Sequence, residues 1–277
     1  MTTEIFDTPQ KTRLSGKILY SMVVRVAAPA FTLLLLFAIW QGYAVWGGIN
    51  PIILPSPVHV FQVTVENWHN LRLAINTTLY ETAIGFGWAL LFGAVSAMLL
   101  DLVPALRRGL YPIFVASQSI PIVAIAPLLQ LWFGVGLSAK VIVIVLSCFF
   151  PVTVAGLDGL RASDPDLIRL YRTFGAGRWR IFRSVRLPGA LPSFFSGIRI
   201  AISYSVIGAI FSEYIGSTQG LGVYMLDSQH AFRIDLVIGA VLVTALISVA
   251  LFVSVMGIER LTVPWFYAER RSKGLSD

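Results

Sequence analysis

Six apolar stretches, each about long enough to cross a bilayer as a helix, constrain this chain more than any single motif in it. The hydrocarbon core needs about 20 consecutive apolar residues in an α-helix. Lipid offers backbone amides no partner, so a span must satisfy them internally. The stretches fall at 26–46, 77–100, 111–133, 139–158, 194–215 and 235–257. Hydrophobic residues make up 56% of the chain and charged residues 13%, about half the share usual in a soluble domain. The expected fold class is therefore an all-α membrane protein with six transmembrane helices. Pro112, Pro121 and Pro127 interrupt the third stretch. A span broken in this way needs neighbouring helices or a water-filled path to satisfy the freed carbonyls. The first stretch is too long for the core of a signal peptide and follows about two dozen mostly polar residues, so it reads as a retained anchor.

The basic residues set the orientation. The segment before the first span carries Lys11, Arg13, Lys17 and Arg25, and Arg107 and Arg108 follow the second. Arg161, Arg169, Arg172, Arg178, Arg180, Arg183 and Arg186 lie in the long loop after the fourth, and Arg260, Arg270, Arg271 and Lys273 follow the sixth. Together these hold all but four of the 21 Lys and Arg. The alternate loops have only Arg72, Lys140 and Arg233, and Arg199 lies inside the fifth span. The positive-inside rule then puts both termini in the cytoplasm. The net charge of +7 follows from this asymmetry and calls for no nucleic-acid partner. The organisation is a cytoplasmic tail over 1–25, a membrane domain over 26–257 that includes the loop 159–193, and a cytoplasmic tail over 258–277. The one cysteine, Cys148, falls in an apolar run and supports neither a disulfide framework nor a thiolate metal cluster.

On the outer side, residues 47–76 hold Gly47, Gly48, Pro51, Pro55 and Pro57, then a mixed stretch with Trp68, and read as a turn-rich link followed by an interfacial helix. Residues 216–234, with Gly216, Gly220 and Gly222 before Tyr224, Met225 and Leu226, are outside yet apolar. They form either a packed connecting loop or a segment that dips back as a gate.

The long inner loop carries the sharpest local signals. In Ser163-Asp164-Pro165-Asp166 and the run from Leu167 to Phe174, Asp164 can cap the free amides and Pro165 suits the first helical position. Asp166 complements the positive end of the dipole, and Gly175 can take the left-handed conformation that ends a helix. The predicted helix has roughly ten residues, too short to span. Behind it, Trp179, Phe182 and Val185 recur every third residue with arginines between them. This segment is expected at the membrane face, aromatics in the interface and guanidinium groups toward phosphates, with Pro188 and Pro192 breaking it before the fifth span.

In the fifth span, Gly197, Ala201, Ser205 and Ala209 make a small-residue ridge for close helix packing. With Tyr204, Ser212 and Glu213 the ridge suggests a span lining a central path. Glu213 is taken as the acidic residue within a span, either functional or a cap for the glycine-rich loop beyond it. Gln118 and Ser119, beside the broken third span, are the other polar candidates for the path.

The spacing Gly175, nine residues, Val185, one residue, Leu187-Pro188 resembles the loop signature of permease subunits of ATP-binding-cassette importers. The Glu-Ala-Ala half of that signature is absent, its positions being Arg169, Leu170 and Tyr171. Leu54-Pro55-Ser56-Pro57, Ser119-Ile120-Pro121, Ala126-Pro127-Leu128 and Trp132-Phe133-Gly134 look like the nitrate, sulfonate, taurine and thiamine-precursor branch. Leu187 to Ser193 and Gly208 to Gly222 look most like its hydroxymethylpyrimidine members.

The resemblance implies a type I importer permease in a bacterial inner membrane, working as two permease copies with two ATPases and one periplasmic or lipid-anchored binding protein. It makes the short loop helix a coupling helix, with Arg169, Leu170, Tyr171, Arg172, Thr173, Phe174, Gly175 and Ala176 facing the ATPase, Arg172 and Phe174 foremost. It implies no cofactor on this chain, since ATP and magnesium belong to the partner, and the chain has no G-x-x-x-x-G-K-[ST] loop. The implied solute is a thiamine-precursor pyrimidine, with riboflavin, aliphatic sulfonate, taurine and nitrate as alternatives. An ion-coupled secondary transporter is the rival class. It needs paired intramembrane carboxylates or two matched broken spans. A membrane enzyme would need clustered ligands, whereas His59, His69 and His230 all fall in outer loops without metal spacing.

Overall fold

The computed structural model describes the backbone of residues 11–272 and the side chains of residues 27–268. The basic side chains of both tails, Lys11 to Arg25 and Arg270 to Lys273, lie outside the described side chains.

All the regular secondary structure of the described residues is helical. In order, the helices are α1 (Lys11–Trp46), α2 (Pro57–Glu66), α3 (Trp68–Leu102), α4 (Pro104–Ser117), α5 (Ile122–Phe133), α6 (Leu137–Arg161) and α7 (Pro165–Thr173). They continue with α8 (Arg178–Ile181), a π-helical turn (Phe182–Arg186), α9 (Leu187–Glu213), α10 (Leu221–His230), α11 (Ile234–Thr262) and α12 (Pro264–Ser272). Five helices are long and apolar enough to cross a membrane, and α4 with α5 make a sixth if the bent pair is one span. Four of the six predicted stretches thus lie within single helices, and a fifth, 194–215, overruns the end of α9 by two residues.

The third does not. Its two halves are bent by 103° across residues 118–121. Pro121, the N-cap of α5, has no amide to donate, and Ile120 before it belongs to neither helix. Pro112 and Pro127 stay inside α4 and α5. The second span also starts earlier than expected. The helix expected in the 47–76 segment is α2, and α3 begins at Trp68 and runs 35 residues. At 1.5 Å per residue α3 is about 52 Å long, longer than the hydrocarbon core.

The core is built around α6, which is packed between α3 and α9. Ala89, Ile144, Cys148, Val152, Ala201 and Ala209 form its buried centre. The predicted small-residue ridge of α9 makes the approach possible. A Cβ on Gly197 would stand 2.6 Å from the Cβ of Ala155 and 2.8 Å from the carbonyl of Pro151, so only glycine fits where these backbones meet. Cys148 is a packing residue whose thiol reaches the carbonyl of Ala201 at 3.1 Å.

The expected break before the fifth span is not present. α8, the π turn and α9 form one run from Arg178 to Glu213. Leu187 donates to the carbonyl of Phe182, five residues back. This widened turn makes room for Pro188, which sits in the first turn of α9 and has no amide to give. Pro192 is inside the helix.

Candidate functional site

The end of the bundle where α3 and α6 finish and α9 starts gathers the basic loops, and α7 projects from it. Asp164 accepts the amide of Asp166 at 2.8 Å, which caps the helix as its sequence predicts. At the other end Gly175 has φ of +72°. Its amide donates to the carbonyl of Arg172 at 2.9 Å, and Ala176 donates to Tyr171 at 3.0 Å. This double closure satisfies two carbonyls that the helix leaves open, and it needs a left-handed residue at Gly175. α7 buries none of its side chains. Leu167, Leu170 and Phe174 share one face by their spacing and are exposed, Phe174 by 80%. Arg169 pairs with Asp166 on the surface, and Thr173 bonds back to the carbonyl of Arg169. Tyr171 is half-buried, and Arg172 lines a groove between α7 and the bundle.

The Trp179, Phe182 and Val185 series does not stay together at a membrane face. Trp179 stacks on Phe182 and is exposed, but Val185 and Ile181 turn into the protein. Leu187 and Pro188 are half-buried at the start of α9. Arg186 points to a carboxylate rather than a phosphate. It bonds both oxygens of Asp101, at 2.8 and 2.7 Å, and the carbonyl of Leu160 at 3.1 Å. A two-pronged guanidinium–carboxylate pair with one buried partner is the strong form of this bond. It ties the loop to the ends of α3 and α6.

A cleft of about 470 Å³ opens where α4 bends into α5, against α6 and α9. Gln118, Ser147, Phe150, Pro151 and Tyr204 are among its lining residues, and none of the lining residues is charged. Of the polar path candidates, the structure brings Gln118 and Tyr204 together there. Ser119 is exposed at the bend. Ser205 and Ser212 are fully buried and bond back to the carbonyls of Ile202 and Ala209 within α9.

Glu213 lies at the opposite end of the bundle from α7 and is 1% exposed. Its carboxylate accepts the amide of Gly222 and the hydroxyl of Thr78, each at 2.6 Å. Thr78 in turn accepts the amide of Leu221 at 2.9 Å. Two free amides at the start of α10 are thereby capped from α9 and α3. The glycine-rich outer segment is therefore a packed helix, with Leu221 and Met225 buried against α3 and α11.

Two further charged residues of this region stand outside the predicted path. Lys140, assigned to an outer loop, is inside α6 and buried. Its ammonium donates to Glu81 of α3 and to Ser217 at 2.7 Å. Glu81 falls within the 77–100 stretch, so Glu213 is not the lone acidic residue in a span, and an acid inside one span with a lysine opening another is a signal that could have been read. Glu259, near the end of α11, is buried opposite Arg199 at 3.3 Å.

The chain matches the family described as "Binding-protein-dependent transport system inner membrane component" over residues 89–266. It belongs to that family. A probable ABC transporter permease protein of Haemophilus influenzae is 40% identical over 84% of this chain and 96% of its own length. The formylaminopyrimidine transport permease protein ThiX of Halalkalibacterium halodurans is 33% identical over 86% and 95%. The riboflavin transport system permease protein RibX of Chloroflexus aurantiacus is 34% identical over 84% and 88%. Among solved structures, an ABC transporter for import of the acidic polysaccharide alginate superposes with a TM-score of 0.59 at 16% identity, over 88% of this chain and 95% of that one. An amino acid ABC transporter superposes with a TM-score of 0.58 at 17% identity, over 74% and 97%. These two share the fold of this permease. The chain is a multi-pass ABC importer permease for a small solute.

Proposed function

We propose that this permease carries a thiamine-precursor pyrimidine, of the formylamino or hydroxymethyl type, through the cleft at Gln118 and Tyr204. The observation that supports this solute is the character of the cleft: Phe150 and Tyr204 offer ring faces, Gln118 offers a donor and an acceptor, and no lining side chain is charged. An aminopyrimidine is flat, neutral and edged with hydrogen-bonding nitrogens, which suits such a surface. Taurine, sulfonates and nitrate carry an anionic group, which would lie unpaired there at a high desolvation cost. The ThiX relative points the same way. Riboflavin, also aromatic, is the second reading, favoured by the RibX relative.

The stroke comes from ATP and magnesium on a separate ATPase, which seats the exposed Leu167, Leu170 and Phe174 of α7. Two copies of the chain enclose the path, an external binding protein delivers the solute, and both termini face the cytoplasm of a bacterium.

Uptake in proteoliposomes, with the ATPase and the binding protein present, tests the reading. Labelled formylaminopyrimidine is expected to accumulate with ATP and taurine to be excluded. Gln118→Ala is expected to raise KM roughly tenfold, the loss of one or two hydrogen bonds. Accumulation of taurine in preference to the pyrimidine would refute the substrate. Failure of the tagged chain to co-purify with an ATPase would refute the coupling.

A further inference from the structure

The groove behind α7 holds a charge pattern apart from the exposed Leu167, Leu170 and Phe174, and it includes Arg172, which the loop signature led one to expect against the ATPase. It has a volume of about 850 Å³ and lies between α7–α8 and the ends of α3, α6 and α9. Arg161, Arg172 and Arg178 line it. None of the three guanidinium groups makes a hydrogen bond or ion pair with another described residue, whereas that of Arg186 beside them is neutralised by Asp101. The floor is apolar and comes from the ends of spanning helices, including Met98 and Leu102 of α3 and Leu187 of α9. From that floor a second, narrower crevice runs up between α3, α6 and α9. The two share Met98, Leu160 and Leu187, and the crevice has no polar lining side chain.

Cations at the mouth and a dry slot reaching into the bilayer make the outline of an amphiphile. We propose that the groove binds an anionic phospholipid of the inner leaflet, its phosphate held by Arg161, Arg172 and Arg178 and one acyl chain laid into the crevice. A free phosphate ion would use the arginines and leave the slot empty. A soluble protein could reach the arginines but not Met98, which stands at the hydrocarbon boundary by its place in the last turns of a spanning helix. Basic pockets between helices at the cytoplasmic face suit anionic head groups on general grounds. The lipid would bridge α7 to α3 and α9, and so stiffen the link between loop and spans.

Trp179 lines the same groove and serves as the reporter. The full-length chain is titrated in detergent with brominated phosphatidylglycerol or brominated phosphatidylcholine. Because the chain has 7 tryptophans, the share of Trp179 is read by difference against Trp179→Phe. Phosphatidylglycerol is expected to quench that share at a several-fold lower mole fraction than phosphatidylcholine. Each arginine near an anionic lipid contributes a factor of roughly five. Arg178→Gln is expected to lower the preference by about that factor, and the Arg161→Gln/Arg172→Gln/Arg178→Gln variant to abolish it. Size-exclusion chromatography confirms that both variants remain monodisperse, and Arg178→Gln alone carries the test if the triple variant does not. Equal quenching by the two lipids, a preference that survives the loss of arginine, or relief of quenching by inorganic phosphate would each overturn the proposal. So would displacement of the lipid when the ATPase subunit is added, which would assign the groove to that protein.

Discussion

Lys140 donates its ammonium to Glu81 across 59 residues of sequence, and the two side chains are 9% and 5% exposed. The pair clamps the start of α6 to α3, and Ser217 extends it to the loop that leads into α10. Beside it, Glu213 and Thr78 hold the first amides of α10. The outer end of this permease is thus closed by a polar network in an otherwise apolar bundle.

A buried ion pair is costly to halve. Glu81→Gln or Lys140→Met alone leaves the other partner's charge buried and uncompensated and is expected to cost about 3–5 kcal/mol. The double variant Glu81→Leu/Lys140→Met is expected to recover most of that loss, because neither charge then needs solvating. Melting temperatures of the three variants in detergent check this. Singles that melt with the parent would show the pair to be a bystander.

Thr78→Val removes both the hydroxyl given to Glu213 and the acceptor for Leu221. The start of α10 should then open more often, by about 1–3 kcal/mol or roughly ten- to a hundredfold in population. Hydrogen exchange at residues 220–223 reads this directly, while exchange in the centre of α6 should stay slow. Uniform protection in the variant would remove Thr78 from the cap.

Gly175→Pro acts at the other end. Proline cannot take the φ of +72° and has no amide for the carbonyl of Arg172. The end of α7 should lose its fixed geometry, and the spans should insert as before. The expected result is ATP hydrolysis that continues while solute uptake per ATP falls. Gly175→Ala, which keeps the amide, should cost about 1–2 kcal/mol locally and give an intermediate ratio. Normal uptake by the proline variant would argue against a coupling role.

Arg186→Gln tests whether the loop moves with the bundle. The change leaves Asp101, 3% exposed, without its guanidinium. It should lower stability by about 3–5 kcal/mol and free α8 from α3. Double electron–electron resonance between labels on Arg180 and Arg107 should show a broadened distance distribution. A distribution as narrow as the parent's would mean that packing of Val185 and Ile181 suffices.

What could be read from sequence is what depends on neighbours within a turn or on the length of an apolar run. Five of the spans, the Asp164 cap and the Gly175 stop are of this kind, because a helix end needs a particular residue type at a particular offset whatever surrounds it. The third span failed this test in part: Pro112, Pro121 and Pro127 all looked like breaks, and only Pro121 is one. A proline inside a span bends the chain only where its neighbours leave a freed carbonyl something better to do. Pro188 misled in the same sense, since one π turn absorbed it.

The apolar runs and the capped loop helix were determined by the sequence itself, through local hydrogen-bond bookkeeping and the thickness of the bilayer. Tertiary structure decided the rest: that Glu213 faces Thr78, 135 residues away, and caps α10, that Lys140 is buried against Glu81, and that Arg186 turns to Asp101. Those partners depend on the rotation and height at which α3, α6 and α9 pack. Such registers are set by where small residues let whole helices meet, and no local spacing encodes which charge will stand opposite which.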